Sequence, residues 1–341
     1  MTLRLLLATT VSGALLSPTA LHAQKPFTVL TQWKVGGQGG WDYLLADPGQ
    51  HRLYITHNTR VEVLDSSTGK STGSITGLGG THGIALDPKG KFGFISDGGA
   101  NQVVVFDRST LAKVDSIPAG TNPDGIVFEP LTRTVWAFNG RSKNASVIDA
   151  DTHKVLATLD LPGKPEFPTA DGKGTLFVNI EDKNEILRLD AKSKTVTATW
   201  PLAGCDSPSG MAIDPAGRRL FSVCDGKKMV VVSADTGKTL ATPAIGEGPD
   251  AAGYDAKDNL AFSSNGDGTL TIIDASKPGY PVLQTVPTKR GARTMAFDSA
   301  NRHVYLVTAD MGPRPAATPQ NPRPRPAIVP DTFTVLVVGR D

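Results

Sequence analysis

Residues 83–120 read GIALDPKGKFGFISDGGANQVVVFDRSTLAKVDSIPAG, and their pattern recurs along most of the chain. Four short runs, GIAL, KFGFIS, QVVVFD and KVDSIPAG, are rich in Val, Ile and Phe, side chains that fit a half-buried pleated surface. Between them stand DPKG, DGGAN and DRSTLA, where Asp, Asn, Gly and Pro supply turn conformations. The stretch is therefore expected to fold as a four-stranded antiparallel meander.

The copies align on the acid that ends the first strand of each: Asp47, Asp87, Glu129, Asp171, Asp214, Asp255 and Asp298. Successive intervals are 40, 42, 42, 43, 41 and 43 residues. A period near 42 with four strand patterns per unit, and no apolar stripe of helical period, points to an all-β, seven-bladed β-propeller. The last copy supplies only three strands, ending in FTVLVVGRD, while FTVLTQWKVGG from Phe27 precedes the first copy and matches a fourth strand. The N-terminal strand is thus expected to complete the last blade and close the ring, which pairs edges that would otherwise template aggregation.

Residues 1–23, with Arg4, an apolar run and Ala23 before a polar start, read as a secretory signal, leaving residues 24–341 as one domain. That reading places the protein in the periplasm or outside the cell, where a pair of cysteines is expected to oxidise. Cys205 precedes the first strand of blade five and Cys224 ends its second, so a disulfide between them is expected on the channel face. No later stretch is apolar enough to span a bilayer, and the chain is expected to be a monomer. The formal net charge of +2 falls to +1 without Arg4, too near neutrality for a global nucleic-acid or membrane footprint. With 36 Gly and 25 Pro, turns are many and helices few.

Second strands such as LYITHN and VYLVTAD, with third strands ending in Asp65, Asp107, Asp149, Asp190 and Asp274 before STGK- or ADTHK-like turns, resemble the YVTN-type β-propeller repeat family. Its exported bacterial members include YncE-like proteins. The resemblance covers all seven units; it implies the fold and admits nucleic acid as a partner. Blade five departs from it, with Ser233 at the third-strand Asp position, and its turn is expected to differ. Blade seven carries a proline-rich insertion, residues 311–330 with Arg314, Arg323 and Arg325, read as an extended segment serving as a lid, a docking arm or a plain surface loop.

In a propeller the loops leading into each first strand gather round the central channel. Five places before each alignment acid stand Asp42, His82, Asp124, Glu166, Ser209, Asp250 and Arg293, expected to line the channel mouth as ligand-binding residues, with His57 joining His82. Gathered carboxylates are costly unless a cation balances them. Asp42, His82, Asp124 and Glu166 are candidate ligands for a hard divalent cation such as calcium; a wet polar mouth without a metal is the plain alternative. A non-catalytic scaffold binding a protein or small molecule through this face is the favoured function. The alternative is a lactonase-like hydrolase in which Glu166 activates water, His82 shuttles the proton and Arg293 polarises a carbonyl. Nucleic-acid binding would need Arg141, Lys143, Lys227, Lys228, Lys289 and Arg290, with Trp41 and Trp136, to form one surface unopposed by Glu181, Asp182, Glu185 and Asp225.

Overall fold

The computed structural model describes residues 25–318, 324 and 326–340; residues 1–23, read above as a secretory signal, Arg323 and Arg325 lie outside the described residues. Seven separate four-stranded antiparallel sheets form the blades of a propeller. Blades one to six occupy residues 41–75, 81–118, 123–160, 165–201, 208–241 and 249–287. Blade seven takes three strands from the C-terminal end (Met295–Asp298, His303–Thr308 and Thr334–Gly339) and its fourth, Thr28–Lys34, from the N-terminal end. That closing strand runs antiparallel to the last, from Thr28 opposite Gly339 to Lys34 opposite Thr334. Ahead of it, the Phe27 amide and carbonyl both bond the Gln284 side chain of blade six, at 2.9 and 2.8 Å.

Burial within a blade follows strand position. Second strands such as Thr134–Asn139 are buried along most or all of their length and third strands largely so, whereas fourth strands such as Lys113–Pro118 expose all but one side chain. Apolar side chains of the inner strands interdigitate between neighbouring blades; Phe94 and Val105 of blade two, for example, share a core with Ile126 and Val135 of blade three. Such layers bury apolar surface at roughly 25 cal/mol per Å².

On one face of the disc the alignment acids fasten blade to blade. Asp47 of blade one receives Arg108 of blade two at 2.6 Å, and the same guanidinium bonds the carbonyls of Asp87 and Gly90. Asp87 pairs with Arg133 of blade three at 2.7 Å, Asp171 with Arg218 of blade five at 2.9 Å, and Asp255 with Arg302 of blade seven. Where the partner is not an arginine, Glu129 accepts the backbone N–H of Gly174 in blade four at 3.0 Å. Asn301 and Tyr305 of blade seven complete the circuit by donating to the carbonyl of Ser66 in blade one.

The third-strand turns of blades one to five share one form. In blade one Asp65 accepts from Ser67 and Thr68 while the Gly69 amide reaches the Asp65 carbonyl at 2.8 Å. Blade five keeps this turn despite Ser233: Gly237 still bonds the Ser233 carbonyl at 2.9 Å, and the hydroxyl receives Asp235 and Thr236 at 3.4 and 3.3 Å. The expectation of a different turn is corrected. A serine oxygen replaces the carboxylate at longer range, and the backbone bond fixes the shape.

Arg108 and Asp47 are both almost fully buried, so truncating one leaves the other charge without compensation. Arg108→Ala is expected to cost about 3–5 kcal/mol in urea unfolding. A loss below 1 kcal/mol would show that the inter-blade clamp contributes little to closure.

Candidate functional site at the channel mouth

Each of the first six blades delivers its mouth residue from an irregular start of its first strand. Pairing with the second strand shifts register between Trp41 and Leu44, Thr81 and Ile84, Pro123 and Ile126, Pro165 and Pro168, Pro208 and Met211, and Pro249 and Ala251. Bulges of this kind re-aim side chains, and the six segments contain Asp42, His82, Asp124, Glu166, Ser209 and Asp250. Two of them require glycine: a Cβ on Gly125 would stand 2.6 Å from the Glu166 carbonyl oxygen, and one on Gly210 2.5 Å from that of Asp250.

A buried polar side chain on the preceding blade then holds four of the mouth residues by their carbonyls. Thr56 donates to His82 at 3.2 Å, Ser96 to Asp124 at 2.5 Å, Asn179 to Ser209 at 2.8 Å and Ser264 to Arg293 at 2.5 Å. All four stand next to last in the second strands of their blades. They are the structural reason that these side chains converge.

The result is a polar cavity of about 240 Å³ lined by Asp42, Asp124, Glu166, Ser209, Asp250 and Arg293 among the expected residues. It also takes in Tyr43, Lys164, Glu181, Ser207 and Asp225. Lys164 bridges Glu166 at 2.6 Å and Glu181 at 2.5 Å, and Arg293 holds Asp250 at 3.1 Å. His82 sits between two carboxylates, its Nδ1 2.7 Å from Asp42 Oδ2 and 3.8 Å from Asp124 Oδ1. Ligand atoms of Asp42, His82 and Asp124 lie within 4.8 Å of one another, a spacing that one cation can span. Glu181 and Asp225 follow the second strands of blades four and five at the position where blades two, three and six carry Gly98, Gly140 and Gly266.

Tyr43 forms the floor. Its ring stacks on Phe167 of blade four, centroids 4.3 Å apart, and its hydroxyl bonds the Asp250 carbonyl at 2.6 Å. Blades one and four are not neighbours, so this contact crosses the channel axis and stops it beneath the mouth.

His57 does not join the mouth. It is fully buried, stacked on Phe333 with centroids 4.2 Å apart, and its Nδ1 is 2.8 Å from the Arg60 guanidinium. As the last residue of its strand it packs against the segment leading into the closing sheet. Trp136 is also fully buried and its Nε1 donates to Thr134, so it presents no face for a base. Lys143, Lys227 and Lys289 pair with Asp182, Glu247 and Asp310 at 2.7, 3.3 and 2.6 Å. A disulfide joins Cys205 and Cys224, with both cysteines buried beside the mouth loop that carries Asp225.

The electrostatics follow from six carboxylates facing three cationic side chains. Burial and the neighbouring Asp42 push Asp124 up to about 6. Burial pushes Asp250 up to about 7 against Arg293, and burial with Asp124 drives Glu166 upward against Lys164. For His82, burial opposes the imidazolium, but the Asp42 hydrogen bond and the Asp124 and Glu166 charges outweigh it and push the group up to about 9. At neutral pH His82 is therefore a cation donating to Asp42.

These shifts act in one direction. Each group binds its proton more tightly folded than unfolded, where carboxylates titrate near ~4 and histidine near ~6.5. The contribution of these groups to stability is thus fullest below their unfolded values and falls as pH rises, first with Asp124 and Asp250 and last through the His82 value of about 9. Melting temperatures across pH 5–9 are expected to decline, and ¹⁵N-detected imidazole titration should place His82 near 9, dropping by at least ~1 unit in Asp42→Asn. A flat melting profile, or an unshifted His82 in that variant, would refute the coupling. Removing the disulfide by Cys205→Ser with Cys224→Ser is expected to cost about 3 kcal/mol for a loop of this size, read as a lower urea midpoint.

No family model matches the chain. Over 152 residues it is 31% identical to the YncE protein of Salmonella typhimurium and 30% identical to that of Salmonella typhi. Each match covers 41% of this chain and 42% of the relative, so the chain spans about two fifths of the length of the curated relatives it matches. A hydrazine synthase structure from Kuenenia stuttgartiensis superposes with a TM-score of 0.69 at 17% identity, covering 78% of this chain and 92% of that one; at such identity the likeness is one of fold. The chain is a seven-bladed β-propeller similar, over part of its length, to YncE.

Proposed function

We propose that this protein is an exported, non-catalytic binding propeller whose channel mouth captures a cationic group, a divalent metal ion or the ammonium group of a ligand. The observation that carries this reading is the six carboxylates converging on a cavity of about 240 Å³ against only His82, Lys164 and Arg293. Like charges held this closely by a rigid frame favour any cation that enters. A metal ion would be met by Asp42 and Asp124, with His82 exchanging its proton for the ion; calcium would draw mainly on the carboxylate oxygens. An ammonium group would take the same carboxylates as hydrogen-bond acceptors.

The hydrolase alternative asks His82 to accept a proton and Arg293 to polarise a carbonyl. His82 is instead fastened to Asp42 and, against the effect of burial, pushed up to about 9 by the surrounding carboxylates, which leaves it no lone pair to offer at neutral pH. Export rests on the reading of residues 1–23 and on the paired cysteines, since disulfides persist in oxidising compartments.

Isothermal titration of the purified protein with calcium, zinc and putrescine, each after exhaustive chelation, tests the proposal. At least one cation is expected to bind one to one, to raise the melting temperature, and to lose at least ~10-fold in affinity in Asp124→Asn, as a lost charge-assisted contact predicts. If none of the three binds or shifts the melt, the mouth is not a cation site.

A further inference from the structure

Beside the acidic mouth lies a second and larger cavity, of about 660 Å³, roofed by the blade-seven insertion. The two ends of that insertion return on each other: Met311 bridges Ile328, the Gly312 amide bonds the Ala327 carbonyl at 2.8 Å, and the Val329 amide bonds that of Asp310 at 2.8 Å. This short ladder sets Met311 and Ile328 facing Trp41 at the start of blade one. Trp41 is fixed in orientation by Phe333, centroids 5.4 Å apart.

The polar side of the cavity is of one sign. Arg290, Arg293 and Arg314 line it and, among the described residues, no carboxylate does. Lys289, next to Arg290, is neutralised by Asp310, while Arg293 gives its Nε to Asp250 across the boundary with the mouth. Arg290 and Arg314 have no ion-pair partner among the described residues. A volume within the ~300–1,000 Å³ of small-molecule sites, apolar walls and a few converging polar groups are the marks of a ligand pocket. Guanidinium groups match carboxylate and phosphate geometry and also stack on flat rings.

We propose that this cavity binds a small amphipathic anion. A flat apolar body lies against Trp41, Met311 and Ile328, and its carboxylate or phosphate head is held by Arg290, Arg293 and Arg314. The site is separate in charge and in shape from the mouth and touches it only through Arg293. Two ligands of opposite sign are thus accommodated side by side on one face.

The test is calorimetric titration of the purified protein with 1-naphthoate and phenyl phosphate, against 1-naphthamide and inorganic phosphate as probes lacking the charge or the ring. Both aryl anions are expected to bind one to one and at least ~10-fold tighter than either control, the advantage of a charge-assisted contact added to apolar burial. The Arg290→Ala/Arg314→Ala variant should lose at least that factor. Gly40→Leu provides an independent check: a Cβ there meets nothing nearer than Ile328 Cδ1 at 4.0 Å, so the side chain enters the cavity without strain and should block binding. Asp124→Asn, which disables the mouth, should leave aryl-anion binding unchanged, so that failure of one site is told from failure of the other. Aryl anions that bind no tighter than the controls, or binding that survives both the arginine variant and Gly40→Leu, would overturn the proposal.

Discussion

The pairing of Thr28–Lys34 with Thr334–Gly339 is the contact on which the rest of the molecule depends, because it joins the two ends of a ring whose blades pack mainly on their neighbours. In a ring, each blade interface is held at the geometry set by all the others, so freedom lost once at the closing strand is lost everywhere. The Asp255–Arg302 clamp and the Gln284 brackets on Phe27 both act at the joint between blades six and seven. A chain of seven meanders without this closure would present two unpaired strand edges to solvent.

Closure is also what lets the mouth exist. Carboxylates whose proton affinities are raised by burial and by each other would spread apart on a flexible surface. Here they are anchored by bulges in the first strands and by hydroxyl and amide side chains that reach from one blade to the carbonyls of the next. The repulsion is carried by backbone that is buried and hydrogen-bonded on both sides. Folding stability thereby maintains a charge arrangement that unfolding would relieve, a common relation between a scaffold and its site.

The fold was legible because the signals repeat. Seven acids at intervals near 42 residues define the units, and a missing fourth strand in the last unit calls for the leading FTVLTQWK. The same offset located Asp42, Asp124, Glu166, Ser209, Asp250 and Arg293 on one cavity, since in the first six blades a bulge at an equivalent place does equivalent work and Arg293 comes from the matching loop ahead of Met295–Asp298. The offset does not tell which way a strand-terminal residue turns: His57 ends a second strand and packs inward on Phe333, a residue from the far end of the sequence. Nor does it reveal contacts between blades that are not adjacent, such as Tyr43 with Phe167, or the role of Glu181 and Asp225, which read as loop charges until the cavity gathers them. The arginine-lined cavity was hidden for another reason. It is built by the one segment that breaks the repeat, and a periodic reading has nothing to compare it with.

The Tyr43–Phe167 stack turns the central opening into a blind well. Whatever enters the mouth must leave by the way it came, so loading and unloading are governed by a single doorway and traffic from the other side of the disc cannot displace an occupant. The two faces of the protein are consequently independent addresses. One is fastened by arginines and acids; the other carries the mouth, and anything that settles over it seals the contents in.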